Sequence, residues 1–417
     1  MAPLPGDSWT PGPFGLDGST RNTWSPEKTV LVVVHHLTAA NRLMGDVVPI
    51  IETSPSIQLV YTTPPGGAFS HSGAAYLRNR GDVVLPWHQA TSLRFDLAVA
   101  ASLGGLEHIH APVLSLDHGA GPGKLLHRQD GDGPAAPREV VGMHTGGLIA
   151  YGRVIPAMIG VAHSHQKDLL ARTVPPAAEV AEVVGDPAFD RLVAGADRRA
   201  EFRKALGVEE GQTLVVVSST WRHNSLLGAH SDLPRRLAAE LPADEYRVIT
   251  APHPASWVWH GHRQVRAWLG GPDGRGPDVI PPGEGWQAAL VAADLVIGDH
   301  GSATYYAAAI GCPVLLGTFP TDDVPPGSHT ALLGLTSPQL DHGAPLLPQV
   351  KGALSTHVPE RTEWYRSQLT TAPGASAALL RSAMYRLLKL PEPDIPAQNP
   401  PIAVPRLLPP LIERDAG

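Results

Sequence analysis

Cysteine is almost missing from this chain. Cys312 is the only one in 417 residues, so no internal disulfide can form, an extracellular disulfide scaffold is excluded and a reducing cytoplasm is the default expectation. A basic excess is missing too: 32 Lys and Arg stand against 39 Asp and Glu, a formal charge of −7. A binder that reads the nucleic-acid backbone through charge is therefore not expected. No uninterrupted apolar run approaches the roughly 18 residues of a membrane span. The opening residues, MAPLPGDSWTPGPFGLDG, lack the basic and apolar regions of a secretion signal. The expectation is a cytoplasmic protein with no membrane span, peripheral attachment to a membrane being left open. Charged residues are scarce at 17% and aromatics at 6%, while Gly and Pro number 43 each. We read this as compositional bias rather than function, since a hydrophobic content of 43% is ordinary for a chain that folds.

What is present is a series of short apolar runs, continuous and rich in β-branched residues, as a parallel strand buried on both faces requires. They are residues 29–37 (TVLVVVHHL), 57–62 (IQLVYT), 82–86 (DVVLP), 112–116 (PVLSL), 213–218 (TLVVVS), 247–250 (RVIT), 295–298 (LVIG) and 313–316 (PVLL). Helix-compatible segments separate several of them, which indicates α/β layering with parallel sheets. No repeat period is visible. Two stretches break the pattern, residues 127–138 (HRQDGDGPAAPR) and 172–180 (RTVPPAAEV), and the length suits two domains. We expect a flexible tail over 1–24, one Rossmann-like domain over 25–175 and a second over 180–390. Residues 391–417 hold too many prolines for a helix or a central strand, and are expected to run extended along the surface or to stay disordered.

Chemistry-bearing residues gather at the C-terminal ends of these runs. Residues 292–316 (AADLVIGDHGSATYYAAAIGCPVLL) read as strand, Gly-containing turn and small-residue helix. Free amides at that helix start, with the hydroxyls of Ser302 and Thr304, would receive a phosphate without a Walker motif. The plainer reading is that Asp299 and Ser302 only cap the helix. Residues 116–124 (LDHGAGPGK) resemble a phosphate loop but lack its spacing and its hydroxyl. What remains is His118 at a strand end, a candidate general base, with Lys124 farther along the loop; a histidine there is also a common structural residue. Ser219, Thr220 and Arg222 follow one strand and His253-Pro254 another. Each by itself reads as a polar loop residue, and their convergence is what points to a diphosphate.

The order Val183-Val184-Gly185-Asp186-Pro187-Ala188-Phe189-Asp190-Arg191-Leu192, Ser219-Thr220-Trp221-Arg222, His253-Pro254 and Ala293-Asp294-Leu295-Val296-Ile297-Gly298-Asp299-His300-Gly301-Ser302 resembles the CDP-glycerol glycerophosphotransferase family. His118-Gly119 with Lys124 looks like that family's His-Gly-Thr-Pro-Leu-Lys loop. The likeness covers about residues 110–320. It implies a GT-B fold, two Rossmann-like domains facing each other across a cleft. It also implies His118 as base on an acceptor hydroxyl, His253 as support for the diphosphate leaving group, and Ser302 and Thr304 as phosphate contacts. Ser219, Thr220, Arg222, Asp299, His300 and Gly301 join the donor-binding set, and Gly119 and Lys124 form the acceptor loop. Two departures stand out. The family usually has Asp-Tyr-Ser-Ser where this chain has Asp299-His300-Gly301-Ser302, and Thr-Pro where it has Ala120-Gly121.

The resulting expectation is transfer of a glycerol-phosphate-like or glycosyl group from a nucleotide-diphosphate donor, CDP-glycerol or an NDP-sugar, to an acceptor hydroxyl. The donor is the substrate and no cofactor is implied. The alternatives are a UDP-N-acetylglucosamine 2-epimerase-like isomerase and a non-catalytic GT-B module that binds a nucleotide or a partner. No metal is expected. The candidate pairs His35-His36, His108 with His110, His163 with His165 and His260 with His262 would each need a third ligand and partners that orient the rings, and Asp130-Gly131-Asp132 lies in a Gly/Pro-rich break.

Overall fold

The computed structural model describes residues 9–13, 22–66, 70–128, 137–272, 274, 276–409 and 411. Contacts divide the chain into two compact units. One comprises Met1–His118, Gly142–Asp190 and Thr370–Pro400, the other Gly119–Val141, Arg191–Leu369 and Pro401–Gly417.

The first unit is built on β1 (Lys28–Val33), β2 (Ile57–Thr62), β3 (Val84–Leu85), β4 (Leu97–Ala100), β5 (Val113–Leu116), β6 (Met158–Val161) and β7 (Ala181–Val183). These seven strands form one parallel sheet in the order β3-β2-β1-β4-β5-β6-β7, so the order reverses beside β1, as in a Rossmann fold. Val30, Leu31, Val32 and Val33 are all fully buried, which is why β1 reads as an unbroken apolar run. The run does not stay extended to residue 37. The imidazole Nδ1 of His36 accepts the Ala39 amide at 3.1 Å and caps helix Leu37–Arg42, offering the backbone an alternative to the ladder. Three strands of this sheet escaped the sequence reading: β4 (LAVA), β6 (MIGV) and β7 (AEV). They are short and carry alanine or glycine where a strand signal needs β-branched residues.

The second unit holds β8 (Thr213–Ser219), β9 (Tyr246–Pro252), β10 (Asp278–Val279), β11 (Leu295–Gly298) and β12 (Val314–Leu316), again parallel, in the order β10-β9-β8-β11-β12. Val215, Val217, Leu226, Leu295, Ile297 and Leu315 belong to its core. Both sheets therefore share the doubly wound pattern, and each is Rossmann-like.

The units differ from a single cut at residues 175–180. Pro175 and Pro176 open helix Pro175–Ala178, where the missing N–H costs nothing, and β7 then adds an edge to the first sheet. Residues 370–400 join the first unit through helix Ser376–Leu388, while residues 119–141 join the second. Of the Pro-rich stretch after residue 390, residues 391–409 take the extended course. Within the first unit Arg381 Nε pairs with Glu392 at 2.7 Å and Asn399 donates to Ser376 Oγ at 3.2 Å. Within the second, Arg191 donates to the Pro401 carbonyl at 3.1 Å, Leu408 N donates to Val279 O at 2.9 Å, and Ile402 is buried. Among the described residues no helix is long and apolar enough to cross a membrane.

Candidate active site

In the second unit the strand order reverses between β8 and β11, and an open α/β sheet binds ligands at the C-terminal ends of such a pair. Ser219 and Thr220 leave β8, and Asp299 and His300 leave β11. Asp299 is fully buried and clasps the two ends. Its Oδ2 accepts from Thr220 N at 2.8 Å, Thr220 Oγ1 at 2.9 Å and Leu226 N at 2.9 Å, and its Oδ1 accepts from Gly301 N at 3.0 Å. Ser219 Oγ donates to the Thr220 carbonyl at 2.9 Å and accepts from Leu227 N at 3.0 Å. Asp299, Ser219 and Thr220, expected among the phosphate contacts, thus spend their polar atoms on the floor of the site.

Above that floor the groups have the character of an anion site. Helix Ser302–Ala309 starts at Gly301, which has no side chain to cap it, so its first-turn amides and positive dipole end lack a side-chain cap. Thr304 Oγ1 and His300 Nδ1 are both buried without a hydrogen-bond partner, which is unusual enough in a folded protein to call for a missing ligand or water. Burial pushes the His300 imidazole down to about 4, Lys124 adds to the shift, and Asp299 and Asp323 oppose it; the ring is neutral at pH 7. Burial likewise lowers Lys124 from its ordinary value, Asp299 opposing, Arg222 adding and Asp323 opposing. The Arg222 guanidinium lies 4.4 Å over the Trp221 ring, and its residue sits in the left-handed region at φ 81°.

Lys124 reaches this place on a strap. Leu125 and Val140 form an antiparallel bridge, Val141 N donates to Lys124 O at 2.9 Å, and Leu125 N donates to Asp323 O at 2.9 Å. Arg138 pairs with Asp323 at 2.7 Å. At the start of the strap, Gly119 lies so close to Ser302 that a Cβ there would run into Ser302 Oγ. His253 ends β9 and caps helix Pro254–His260, its Nδ1 accepting from Ala255 N at 3.0 Å. The proton of the neutral ring is therefore on Nε2. The ring stacks on Trp221, centroids 6.2 Å apart.

His118 belongs to the first unit. It follows β5, and its Nδ1 makes a 2.9 Å bond with the Ala101 carbonyl after β4. A carbonyl only accepts, so Nδ1 carries the proton in the neutral ring. The His36 ring meets it edge to face, centroids 4.7 Å apart. Behind them is a charge cluster that the sequence reading missed. Arg42 donates to the Asp117 carbonyl at 3.1 Å and pairs with Asp186 at 3.0 Å and Asp46 at 3.4 Å. Burial pushes the Asp117 carboxyl up to about 6, with Arg42 opposing and Asp186 adding. Adjacency to His118 was the only signal for Asp117, and nothing marked Arg42.

The remaining histidine pairs do not converge on third ligands. His35 donates to the Gly104 carbonyl, the His163 and His165 rings meet tilted with centroids 4.1 Å apart, and His260 and His262 rest on Trp268 and Trp257. Among the described residues no group of three or more His, Cys, Asp or Glu is placed to hold a metal. Asp130-Gly131-Asp132 lies outside the described residues.

No protein-family profile and no curated protein matches the sequence. Solved structures do match. A variant of the wall teichoic acid polymerase TagF superposes with a TM-score of 0.55 at 12% identity, over 88% of this chain and 89% of that one. A TagF variant soaked with CDPG gives 0.53 at 13%, over 87% and 88%. A Listeria monocytogenes protein assigned as a UDP-N-acetylglucosamine 2-epimerase gives 0.51 at 12%, over 89% and 99%. The chain has the GT-B fold. In this GT-B protein the second Rossmann-like unit carries the turn after β11 and the first carries His118.

Proposed function

We propose that this GT-B protein is a transferase that moves a glycerol-phosphate-like or glycosyl group from a nucleotide-diphosphate donor to an acceptor hydroxyl. The observation that carries the reading is the turn after β11, where an uncapped helix start, the unpartnered buried Thr304 Oγ1 and His300 Nδ1, and Lys124 gather above the Asp299 clasp. Amides, a hydroxyl, a neutral imidazole and a cation suit the phosphates of such a donor, and Ser302 joins them from the helix start. The likeness to a TagF variant soaked with CDPG supports a cytidine donor. As the acceptor oxygen bonds to the donor's phosphorus or anomeric carbon, its proton passes to a general base, for which His118 is the candidate. The leaving CMP or NDP departs with the bonding pair, steadied by Lys124, Arg222 and the Nε2–H of His253. The donor is itself the substrate, and the scheme needs no cofactor.

An isomerase acting on a UDP-sugar is the second reading, favoured by the likeness to the Listeria protein. Calorimetry with CMP, CDP-glycerol, UDP and UDP-N-acetylglucosamine tests both readings. Binding of a cytidine or uridine diphosphate ligand, followed by transfer to a hydroxyl, supports the transferase. Epimerisation without transfer supports the isomerase, and binding of none of the four leaves a non-catalytic module.

A further inference from the structure

We propose that the stacked imidazoles of His230 and His342 are a positioning pair for the turn after β11, and that acid weakens donor binding by parting them; this rests on the reading of that turn as the donor site. The rings lie nearly parallel, with planes at 12° and centroids 3.3 Å apart. Each is tied to the Asp299 clasp by its own route. Helix Leu226–Ala229 begins where Leu226 N donates to Asp299 Oδ2 at 2.9 Å, and it ends where His230 N donates to Leu226 O at 2.8 Å. On the other side His342 Nε2 bonds to the Gly317 carbonyl at 2.6 Å, and Gly317 N donates at 2.8 Å to the carbonyl of Gly298, the residue before Asp299. The two routes also touch, because Leu226 packs where a Cβ on Gly317 would stand. Asp299, Leu226, His230, His342, Gly317 and Gly298 thus close a circuit, and the stack is its link between two side chains.

That link is the one acid can break. A carbonyl only accepts, so the neutral His342 ring has its hydrogen on Nε2, and its Nδ1 is buried without a hydrogen-bond partner. His230 is half-buried. Burial lowers its pKa, the neighbouring His342 adds to the shift, Asp232 opposes it and Arg236 adds. These are the charges on the elements packed around the stack: Asp232 and Arg236 on the His230 side, and Asp341 next to His342, whose carboxylate accepts from Gly343 N at 2.8 Å. Arg236 donates to the His342 carbonyl at 3.1 Å and to Glu240 at 3.3 Å. A proton on His230 is therefore set against a second imidazole and near a guanidinium, with Asp232 as the offset. The folded pKa lies below the unfolded one, so the unfolded chain takes up the proton first. Stability contributed by the stack is present at neutral pH and is lost as pH falls through the ordinary histidine range. As the rings part, the end of helix Leu226–Ala229 and the Gly317 bond lose their brace, and with them both sides of Asp299.

The competing explanation is that the stack only fills space between a helix end and a loop. Two substitutions separate the roles. His230→Phe keeps a ring on His342 and cannot take a proton, whereas His230→Arg keeps a planar group there and is always charged. The test uses the full chain, with CDP-glycerol and UDP-N-acetylglucosamine as probes for calorimetry at about pH 7.5 and about pH 5.5, on either side of the histidine range. Wild-type affinity for the probe that binds should fall at least about tenfold on acidification, as a shift of one pKa unit in a coupled group implies. His230→Phe should match the wild type at the higher pH and fall at least about fivefold less. His230→Arg should bind weakly at both. Without any probe, the main-chain amide signals of Leu226, Gly298 and Gly317 should titrate together with the His230 ring in the wild type and stay in place in His230→Phe. An acid loss in His230→Phe as steep as in the wild type, wild-type affinity in His230→Arg, or amides that stay in place while His230 titrates overturns the proposal and leaves the donor reading standing. Binding of neither probe removes the donor reading and the donor half of this inference with it, while the amide titration still decides whether the pair positions the turn.

Discussion

The Asp299 clasp sets the most demanding expectation. Asp299→Ala would strip the acceptor from three main-chain amides, Thr220 N, Leu226 N and Gly301 N, and from the Thr220 hydroxyl. The site is fully buried, so water cannot replace the carboxylate without opening the strand ends. A buried donor left unsatisfied costs about 1–3 kcal/mol. Allowing for partial rearrangement, the three amides together suggest a loss of about 3–6 kcal/mol. For a domain of about 200 residues each kcal/mol lowers the melting temperature by about 2–4 °C, so the second unit should melt on the order of 10 °C lower. Asp299→Asn keeps one acceptor oxygen and turns an amide N–H towards a donor, so it should fall part-way, at a cost of about 1–3 kcal/mol. Calorimetric melting of the three proteins, with donor binding measured below the transition, checks the ranking. If Asp299→Ala melts with the wild type, the clasp is not what joins β8 to β11. If it melts with the wild type and fails to bind donor, the carboxylate is a ligand after all.

Three further expectations concern individual groups. Lys124→Met should weaken binding of whichever donor the screen identifies by about tenfold to a hundredfold, the range of a charge-assisted hydrogen bond; because burial lowers the Lys124 pKa, wild-type donor affinity should decline with rising pH earlier than an ordinary lysine allows, and the variant should lack that decline. His253→Asn keeps an N-cap for helix Pro254–His260 but removes the Nε2–H, so turnover should drop with the melting temperature preserved, and full turnover would make His253 structural. Asp117 has its folded pKa raised to about 6, so its contribution to stability is present below the unfolded value and lost as pH rises through about 6. Asp117→Asn should accordingly stabilise the first unit by up to about 3 kcal/mol at pH 7.5, a gain that shrinks towards pH 4, and denaturant melts at the two pH values measure it.

Legibility of the sequence followed the size of the local signal. The runs at residues 57–62 and 295–298 match β2 and β11 residue for residue, because a strand buried on both faces has to be continuously apolar. The turn over Asp299, His300, Gly301 and Ser302 was likewise visible, since strand, glycine and small-residue helix are adjacent in the chain. What Asp299 does there was not visible. Capping and clasping use the same residue type, and its partners Thr220 and Leu226 are far away in sequence. The same holds for Lys124, whose loop looks like an acceptor element of the first half and is folded into the second unit by the Arg138–Asp323 pair.

By itself, then, the sequence determined the α/β class, the parallel sheets and the positions of candidate groups at strand ends, all consequences of periodicity and burial that neighbouring residues carry. Only the tertiary structure decided which unit owns residues 119–141 and 370–400 and which polar groups build the floor. It alone also decided the tautomers of His36, His118 and His253, because each follows from a hydrogen bond to a main-chain group. For His118 that group, Ala101 O, comes from another strand end, and its placement depends on the order of strands in the sheet.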